Sequence, residues 1–455
     1  MAKVEKLSTT PRNQELYEKF TYFIKSATVL LKKRHGDSLP ITESIVPEKL
    51  KEGGWITKLK EEFEFSGTIY DDAESISKLK EAKNLADLLL HDEMTSRWVG
   101  APRDLNGSPL GKKETYLYIV QNHLSKPLNR YLKETEAYKF NKNICANIYQ
   151  EFENFLYSDA ETFTIIAPLG GFRSDSGGLR LDENLLIRKI TLEEHQRLFK
   201  DSGGTFPLFE PGVMGMTHVI ATYYTRKISD AHNVFPSMDL FKKVITALRI
   251  FKKGGIGFTR IYDKPDHWMS PFGFGSAARH EHLRYLGGNY ELNNSEIPNF
   301  LNFWKDFASL DQKKYRFLDI ATERFYLSQE RIRQPEDKLI DIMIGLEALY
   351  LRDNKELSYK LSTRAAFMLE KNPGKRKKIF ALVKKAYGIR SDIVHGSKLK
   401  KEISVDGTKM NIYQLADESE EVLRSSIHLF INLSKEKSEK QINKILEEAI
   451  FASTS

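Results

Sequence analysis

The sequence contains a single cysteine and no long run of apolar residues. Because Cys145 is alone among 455 residues, an internal disulfide and a cysteine-rich zinc module are both excluded. No segment approaches the roughly 20 consecutive apolar residues that cross a bilayer. The first ten residues include Lys3, Glu5 and Lys6 and lack the apolar stretch of a signal peptide. We therefore expect a cytoplasmic protein that makes no membrane contact.

Glycine and proline are also scarce, with 27 and 15 residues, which excludes a fibrous or disordered chain. At about 100–200 residues per domain, the length predicts two to four domains. Two catalytic sequence patterns are missing as well. The absence of G-x4-G-K-[ST] excludes a P-loop NTPase, and the absence of G-x-S-x-G disfavours an α/β-hydrolase.

Positive charge is concentrated in one segment. Residues 371–401 include eleven Lys or Arg residues and one acid, Asp392. This window therefore has a net charge of +10, which is more than the +8 of the whole chain. Such a basic field attracts polyanions, because bound phosphates release their counterions. The alternative is a solvated helix face that keeps the protein soluble.

The apolar spacing predicts an α+β protein that is predominantly helical. Residues 1–157 form an N-terminal helical region, with helices at about 10–36, 72–98 and 113–157, the last broken near Pro127. Residues 158–290 form a small mixed α+β domain with a sensing or regulatory role. It has strands at 163–168, 183–190, 217–225 and 255–262 and a helix at 238–252. Residues 296–451 form an all-α bundle with helices at 296–309, 311–328, 335–352, 358–371, 375–392, 416–434 and 437–451.

The most informative segment lies inside the basic window. Arg390 is followed after four residues by His395, with Asp392 between them and Gly396 as a helix stop. As spacing alone this pair is weak, and its setting at a helix end inside the basic window adds weight to it. The alternative is a charge pair favoured by the helix C-terminus.

The segment from Arg390 to His395 matches the R-x4-H signature of HEPN domains, and its surroundings resemble the Apea-like HEPN group. Residues 341–350, 356–366 and 387–396 look like the first, second and third core helices of that group. The resemblance covers about 296–450. It implies a helical bundle paired about a two-fold axis, hence a homodimer. It also implies a metal-independent endoribonuclease that needs no cofactor, of the kind found among toxins and phage-defence effectors.

The chemistry of the two residue types is compatible with that activity. RNA supplies its own nucleophile, the 2′-OH, so cleavage needs a general acid or base and a cation for the growing phosphate charge. His395 can transfer protons near neutral pH, and Arg390 can hold phosphate oxygens with its planar guanidinium. The expected products are a 2′,3′-cyclic phosphate and a 5′-OH. Because one motif supplies one histidine, acid and base can come from two protomers.

Several other residues are candidates for supporting roles. Glu347 and Asp392 could orient Arg390 or His395, or form ordinary salt bridges on the helix surface. Arg364 and Tyr387 could contact RNA or shape the site, although Arg364 could instead pair with a buried carboxylate and Tyr387 could pack in the bundle. Backbone contacts to RNA are predicted for five lysines: Lys384, Lys385, Lys398, Lys400 and Lys401.

Other groups of residues give weaker indications of a functional site. Asp266, His267, His280 and His282 are metal-ligating residue types, but no cysteine is near and four converging ligands are not evident, so we expect no metal. A glycine-containing stretch at 272–278 resembles part of a dinucleotide fingerprint but follows no clear strand. The aromatic residues between 258 and 274 could stack on bases, although core packing is the more common role.

Two hypotheses follow from the sequence. In the first, the C-terminal bundle cuts RNA and residues 1–290 sense a trigger or restrain the nuclease, and the partner is a trigger or an antitoxin. In the second, the bundle is catalytically inactive and binds RNA, a nucleotide or a protein partner.

Overall fold

The computed structural model describes residues 11–49, 55–100, 102–103, 107–201, 216–227, 238–258, 260–270, 278–279, 289–311, 314–331, 334–352 and 356–449. The fold is mixed α+β and predominantly helical, which confirms the predicted class. Helices predominate in the first and last parts of the described chain, and an antiparallel sheet lies between them.

The N-terminal part is a set of helices with a β-hairpin inserted after the first helix. The elements are α1 Gln14–His35, β1 Ile41–Lys49, β2 Trp55–Phe63, α2 Ser66–Asp71, α3 Ala73–Ser77, α4 Lys80–His91, α5 Ser96–Val99, α6 Lys112–Ile119, α7 Ser125–Thr135 and α8 Lys142–Leu156. The apolar faces of these helices form their own hydrophobic core. The hairpin β1–β2 is an element that the sequence analysis did not anticipate.

The third predicted helical stretch is broken at a different place from the one expected. Pro127 lies in the first turn of α7, where its missing N–H is not needed for helix hydrogen bonding. A π-helical turn, Val120–Leu124, precedes it. The break comes after Thr135, because Glu136 has a left-handed backbone (φ 45°) and Asn141 caps the next helix.

The central part is built on a six-stranded antiparallel sheet. Its elements are β3 Ala160–Pro168, β4 Phe172–Ser174, β5 Gly178–Asp182, β6 Leu185–Lys189, α9 Leu192–Asp201, β7 His218–Lys227, α10 Met238–Phe251, β8 Arg260–Pro265, β9 Ala278–Arg279 and β10 Tyr290–Leu292. The strand order is β5-β6-β7-β3-β8-β9, and β4 pairs separately with β10 in parallel. The four predicted strands correspond to β3, β6, β7 and β8, the last shifted towards the C-terminus. The predicted helix at 238–252 is confirmed as α10.

The C-terminal part is the predicted helical bundle. Its helices are α11 Ile297–Ala308, α12 Arg316–Glu330, α13 Pro335–Tyr350, α14 Leu357–Leu369, α15 Pro373–Val394, α16 Ile412–Glu436 and α17 Glu439–Glu448. All seven predicted helices are present. The bundle is not purely helical, however, because a short hairpin of β11 Ile403–Val405 and β12 Thr408–Met410 connects α15 to α16.

This small hairpin has a clear cause in the sequence. Asp406 and Gly407 form its two-residue turn with φ of 44° and 81°, the conformation of a type I′ turn. Ile403, Val405 and Met410 then bury their side chains in the bundle. The hairpin therefore pins the chain that follows α15 against the bundle.

One hydrophobic core runs without interruption from the sheet into the bundle. Ile165 of β3, Val244 of α10, Phe300 of α11 and Leu423 of α16 belong to the same buried cluster. The predicted division near residues 290–296 is a change in the type of secondary structure, and packing is continuous across it. The N-terminal helices join this body through Trp268, whose indole Nε1 donates to Glu151 at 2.5 Å.

A buried ion pair reinforces the contact between α10 and the bundle. Arg249 on α10 is 4% exposed, and its Nη1 donates to Glu330 Oε1 of α12 at 2.6 Å. Its Nε donates to the carbonyl of Ile256 at 3.0 Å, and Arg424 of α16 donates to the carbonyl of Arg249 at 2.9 Å. Three helices from two parts of the chain therefore meet at this residue.

We expect Arg249→Met to lower the free energy of unfolding by about 3 kcal/mol, because it removes the guanidinium that pairs with the buried Glu330 carboxylate. Urea unfolding followed by circular dichroism measures the change. The matched control is Lys242→Met, two turns earlier on the same face of α10, whose ion pair with Glu323 (2.8 Å) is partly exposed. Its loss is expected to cost less than about 1 kcal/mol. Equal losses in the two variants would contradict the structural role given to Arg249.

Candidate active site at the end of helix α15

The candidate site is carried by α15, whose limits follow from local sequence. Asn372 caps its start by accepting from the backbone N–H of Lys375 at 3.1 Å, and Pro373 occupies the first turn. One face of the helix packs into the bundle through four buried side chains: Leu382, Val383, Ala386 and Ile389. The remaining faces are turned to neighbouring side chains or to solvent.

The end of α15 is a Schellman motif centred on the predicted catalytic histidine. His395 is the C-cap, and Gly396 follows in the left-handed region with φ 71°. The N–H of Gly396 donates to the carbonyl of Ile393 at 3.0 Å, and the N–H of Ser397 donates to that of Asp392 at 2.8 Å. These bonds hold the His395 backbone in a defined position at the surface.

The His395 side chain is exposed. No hydrogen bond or ion pair to its imidazole comes from the part of the chain that the structure describes. Asp392 is likewise exposed and forms no ion pair with His395 or Arg390 within those ranges. Within the described part of one chain, the Asp392 carboxylate therefore makes no contact that would orient Arg390 or His395 as predicted. The main-chain carbonyl of Asp392 takes part in the helix cap.

Arg390 points to a different side of α15, towards α13. Its Nη2 lies 3.9 Å from Glu347 Oε2, and both side chains are about three-quarters buried. The buried Nε of Arg390 has no hydrogen-bond partner in the described ranges. Burial raises the pKa of the Glu347 carboxyl, and the nearby Arg390 opposes that shift only in part. The guanidinium is thus loosely held and keeps hydrogen-bond capacity for an anion.

Tyr387 completes a small polar group with these two residues. It is half-buried one turn before Arg390, and burial raises the pKa of its phenol, with a further contribution from the Glu347 charge. The structure therefore brings together Glu347, Tyr387 and Arg390 but leaves His395 apart. An interval of five residues is a rotation of 500° on an α-helix, so the two motif residues diverge by roughly 140° around the axis.

Arg364 is placed inside the bundle and not at the surface. It is 7% exposed, and its Nη1 donates to the main-chain carbonyl of Tyr350, the last residue of α13, at 2.6 Å. The expected partner was a carboxylate, and the observed acceptor is a helix C-terminus, where a cation is favourable. Arg364 therefore supports the packing of α13 on α14.

The five predicted RNA-contacting lysines are all exposed. Lys384 and Lys385 lie on α15, and Lys398, Lys400 and Lys401 follow it. The latter three precede β11, so the buried hairpin residues keep this short segment close to His395. Lys398, Lys400 and Lys401 form a basic edge beside the end of α15, whereas Lys384 and Lys385 lie near the middle of the helix.

The residues that gave weaker indications of a functional site either make other contacts in the structure or lie outside the described residues. Asp266 accepts from the Thr164 hydroxyl at 2.7 Å, and His267 stacks on Phe155 with ring centroids 4.9 Å apart. His280, His282 and most of the 272–278 stretch fall outside the described ranges. Within those ranges no group of three acidic, histidine or cysteine side chains is arranged to hold a metal ion. Phe258 and Tyr262 are buried core residues.

Comparison with known proteins gives no match to this chain. No family model matches it, and searches of curated proteins and of solved structures also found nothing similar. Of the helices that the structure describes, none combines the length and the apolar character needed to cross a membrane.

We expect two glycines of α15 to respond oppositely to alanine. Gly396→Ala should lower the free energy of unfolding by about 1 kcal/mol, because an L side chain is strained at its positive φ. Gly388→Ala should raise stability by up to about 1 kcal/mol, since Gly388 lies inside the helix. Neither new Cβ meets another atom within 4 Å, so both effects are conformational. Thermal or urea unfolding provides the measurement, and the same sign for both variants would contradict the helix-end geometry.

Proposed function

We propose that this protein is a metal-independent endoribonuclease of HEPN type, with His395 and Arg390 as its catalytic residues. The observation that carries the proposal is the end of α15. There a capped helix presents an exposed, unpartnered imidazole beside a basic edge, and a loosely paired guanidinium lies slightly more than one turn earlier. A histidine and an arginine supply the proton transfer and the charge stabilisation that RNA cleavage requires.

The proposed reaction is a transesterification within the RNA. The 2′-oxygen forms a bond to the adjacent phosphorus as a histidine removes its proton, and the bond to the 5′-oxygen breaks. A second proton donor protonates that 5′-oxygen, so the products are a 2′,3′-cyclic phosphate and a 5′-OH. Arg390 holds the non-bridging oxygens as their negative charge grows. The transesterification needs no oxidant, reductant or metal.

We further propose that a complete site forms between two copies of the chain. Arg390 and His395 face different directions within one protomer, so a two-fold pairing that brings the motifs face to face would supply both a base and an acid. Val394 supports this arrangement, because it leaves an apolar side chain 56% exposed between the two motif residues. Burial in a homodimer interface would remove that surface from water.

In the cell we propose a cytoplasmic toxin or anti-phage effector. Residues 1–290 would sense a trigger or bind an antitoxin, and the core shared by the sheet and the bundle gives residues 158–290 a direct packing route to the bundle. The second candidate is a catalytically inactive module that binds RNA, a nucleotide or a partner. The contact of Arg390 with Glu347 favours it, since a guanidinium engaged by a carboxylate is less available to phosphate.

We expect purified wild-type protein to cleave total tRNA or a phage-like transcript in the presence of EDTA, and His395→Ala to lose this activity by a factor of at least about 100. Arg390→Ala should lose it as well, since the developing phosphate charge is then uncompensated. A denaturing gel detects cleavage. The matched control is His91→Ala, an exposed histidine at the end of α4, which should cleave like the wild type.

A lysate of phage-infected cells, added as a second condition, supplies a trigger if one is required. RNA binding without cleavage in both conditions would contradict the nuclease proposal and favour the binding module. Cleavage that His395→Ala retains would point to a contaminating nuclease.

A further inference from the structure

Helix α15 carries an exposed stripe that leads to the candidate site. Lys377, Phe380, Lys384, Gly388, Ser391 and His395 follow each other at intervals of three or four residues, the spacing of one helix face. All six are exposed or partly exposed. At 1.5 Å per residue, the stripe runs about 22 Å from Phe380 to His395.

An aromatic pair lies near the far end of this stripe. Tyr359 of α14 is 58% exposed, and its ring packs against Phe380 with centroids 5.8 Å apart at an angle of 77°. The Nζ of Lys384 lies 5.6 Å from the centre of the Phe380 ring. Nucleic-acid bases stack on aromatic rings that are open to water, and nearby cations strengthen the binding. The exposed ring of Tyr359, with Phe380 and Lys384 beside it, offers both features.

The charge around the start of α15 also favours a polyanion. The first turn of the helix has no acidic residue and contains Lys375 and Arg376, although cations are unfavourable at a helix N-terminus. Lys375 lies 4.0 Å from the Glu370 carboxylate, and Lys377 lies 3.3 Å from that of Asp406. Lys384 has no such acidic neighbour in the described part of the chain, so its ammonium is available to a phosphate.

We propose that Tyr359 and Phe380 stack an unpaired base of single-stranded RNA, that Lys384 binds a neighbouring phosphate, and that the strand then follows the stripe to His395. The endpoint at His395 rests on the proposed nuclease function, whereas the stacking platform stands on its own geometry. An unpaired base is required, because the rings of a duplex are already stacked on each other. The occupant at the Tyr359 end of the stripe is RNA and not a second copy of the chain, since a two-fold contact there would bring the lysines Lys377 and Lys384 of two copies together, like charge against like charge.

The test measures binding in a full-length His395→Ala background, which separates it from cleavage. Fluorescence anisotropy with a labelled single-stranded RNA gives the dissociation constant. Tyr359→Leu should weaken binding by about tenfold, because one stacked base is lost, and Tyr359→Phe should restore it. Tyr70→Leu, at a tyrosine that is 66% exposed on α2, is the matched control and should bind like the parent.

The salt dependence distinguishes stacking from charge. Lys384→Ala should reduce the slope of log affinity against log salt by about 0.7, the value for one phosphate of a single strand. Tyr359→Leu should leave that slope unchanged. The platform proposal is wrong if the parent protein does not bind RNA. It is also wrong if duplex RNA binds as tightly as single-stranded RNA and loses as much affinity in Tyr359→Leu.

Two further outcomes separate this inference from its alternatives. If Tyr359→Leu converts a dimer into a monomer in analytical ultracentrifugation, the aromatic pair is a contact between copies and the RNA proposal fails. If wild-type protein cleaves RNA but Tyr359→Leu binds and cleaves it equally well, the nuclease stands and the platform fails. Binding that depends on Tyr359 in a protein that never cleaves would leave the platform standing alone.

Discussion

The packing of one face of α15 into the bundle is the constraint on which the candidate site depends. Leu382, Val383, Ala386 and Ile389 are buried, and this fixes the rotation of the helix about its axis. With that rotation set, Arg390 must face Glu347 on α13, and the stripe ending at His395 must face solvent. The left-handed Gly396 then stops the helix directly after the histidine. Apolar burial therefore decides which chemical groups meet and which stay free.

The same burial ties the C-terminal bundle to the rest of the chain. The core passes from the sheet through α10 into α11 and α16, and Arg249 links α10 to both α12 and α16 through Glu330 and Arg424. A close-packed core transmits strain, since its side chains have few alternative arrangements. If residues 1–290 control the bundle, a shift of α10 is the most direct mechanical route. The N-terminal helices are joined less extensively, through Trp268 and its neighbours.

Much of this fold could be predicted from apolar spacing, but the site could not. The seven bundle helices and the positions of four strands follow from periodicity. The hairpin at 403–410 was missed although Asp406-Gly407 is a strong turn signal. The hairpin β1–β2 was missed because its strands contain Pro47 and several Lys and Glu residues, which are uncommon in strands. The motif from Arg390 to His395 can be recognised in the sequence. The exposure of His395, the main-chain carbonyl that accepts from Arg364 and the contact of Tyr359 with Phe380 depend on tertiary packing.

The central claim is that a histidine at the end of α15 lets the 2′-OH of RNA attack its own phosphate. The most direct measurement compares an RNA with the same RNA carrying a single 2′-deoxy nucleotide at the mapped cleavage position, in EDTA, with the product ends read by phosphatase and kinase treatment. The account predicts cleavage of the first RNA to a 2′,3′-cyclic phosphate and a 5′-OH, and no cleavage of the second at that position. Equal cleavage of both RNAs, or products that end in a 5′-phosphate, would contradict it.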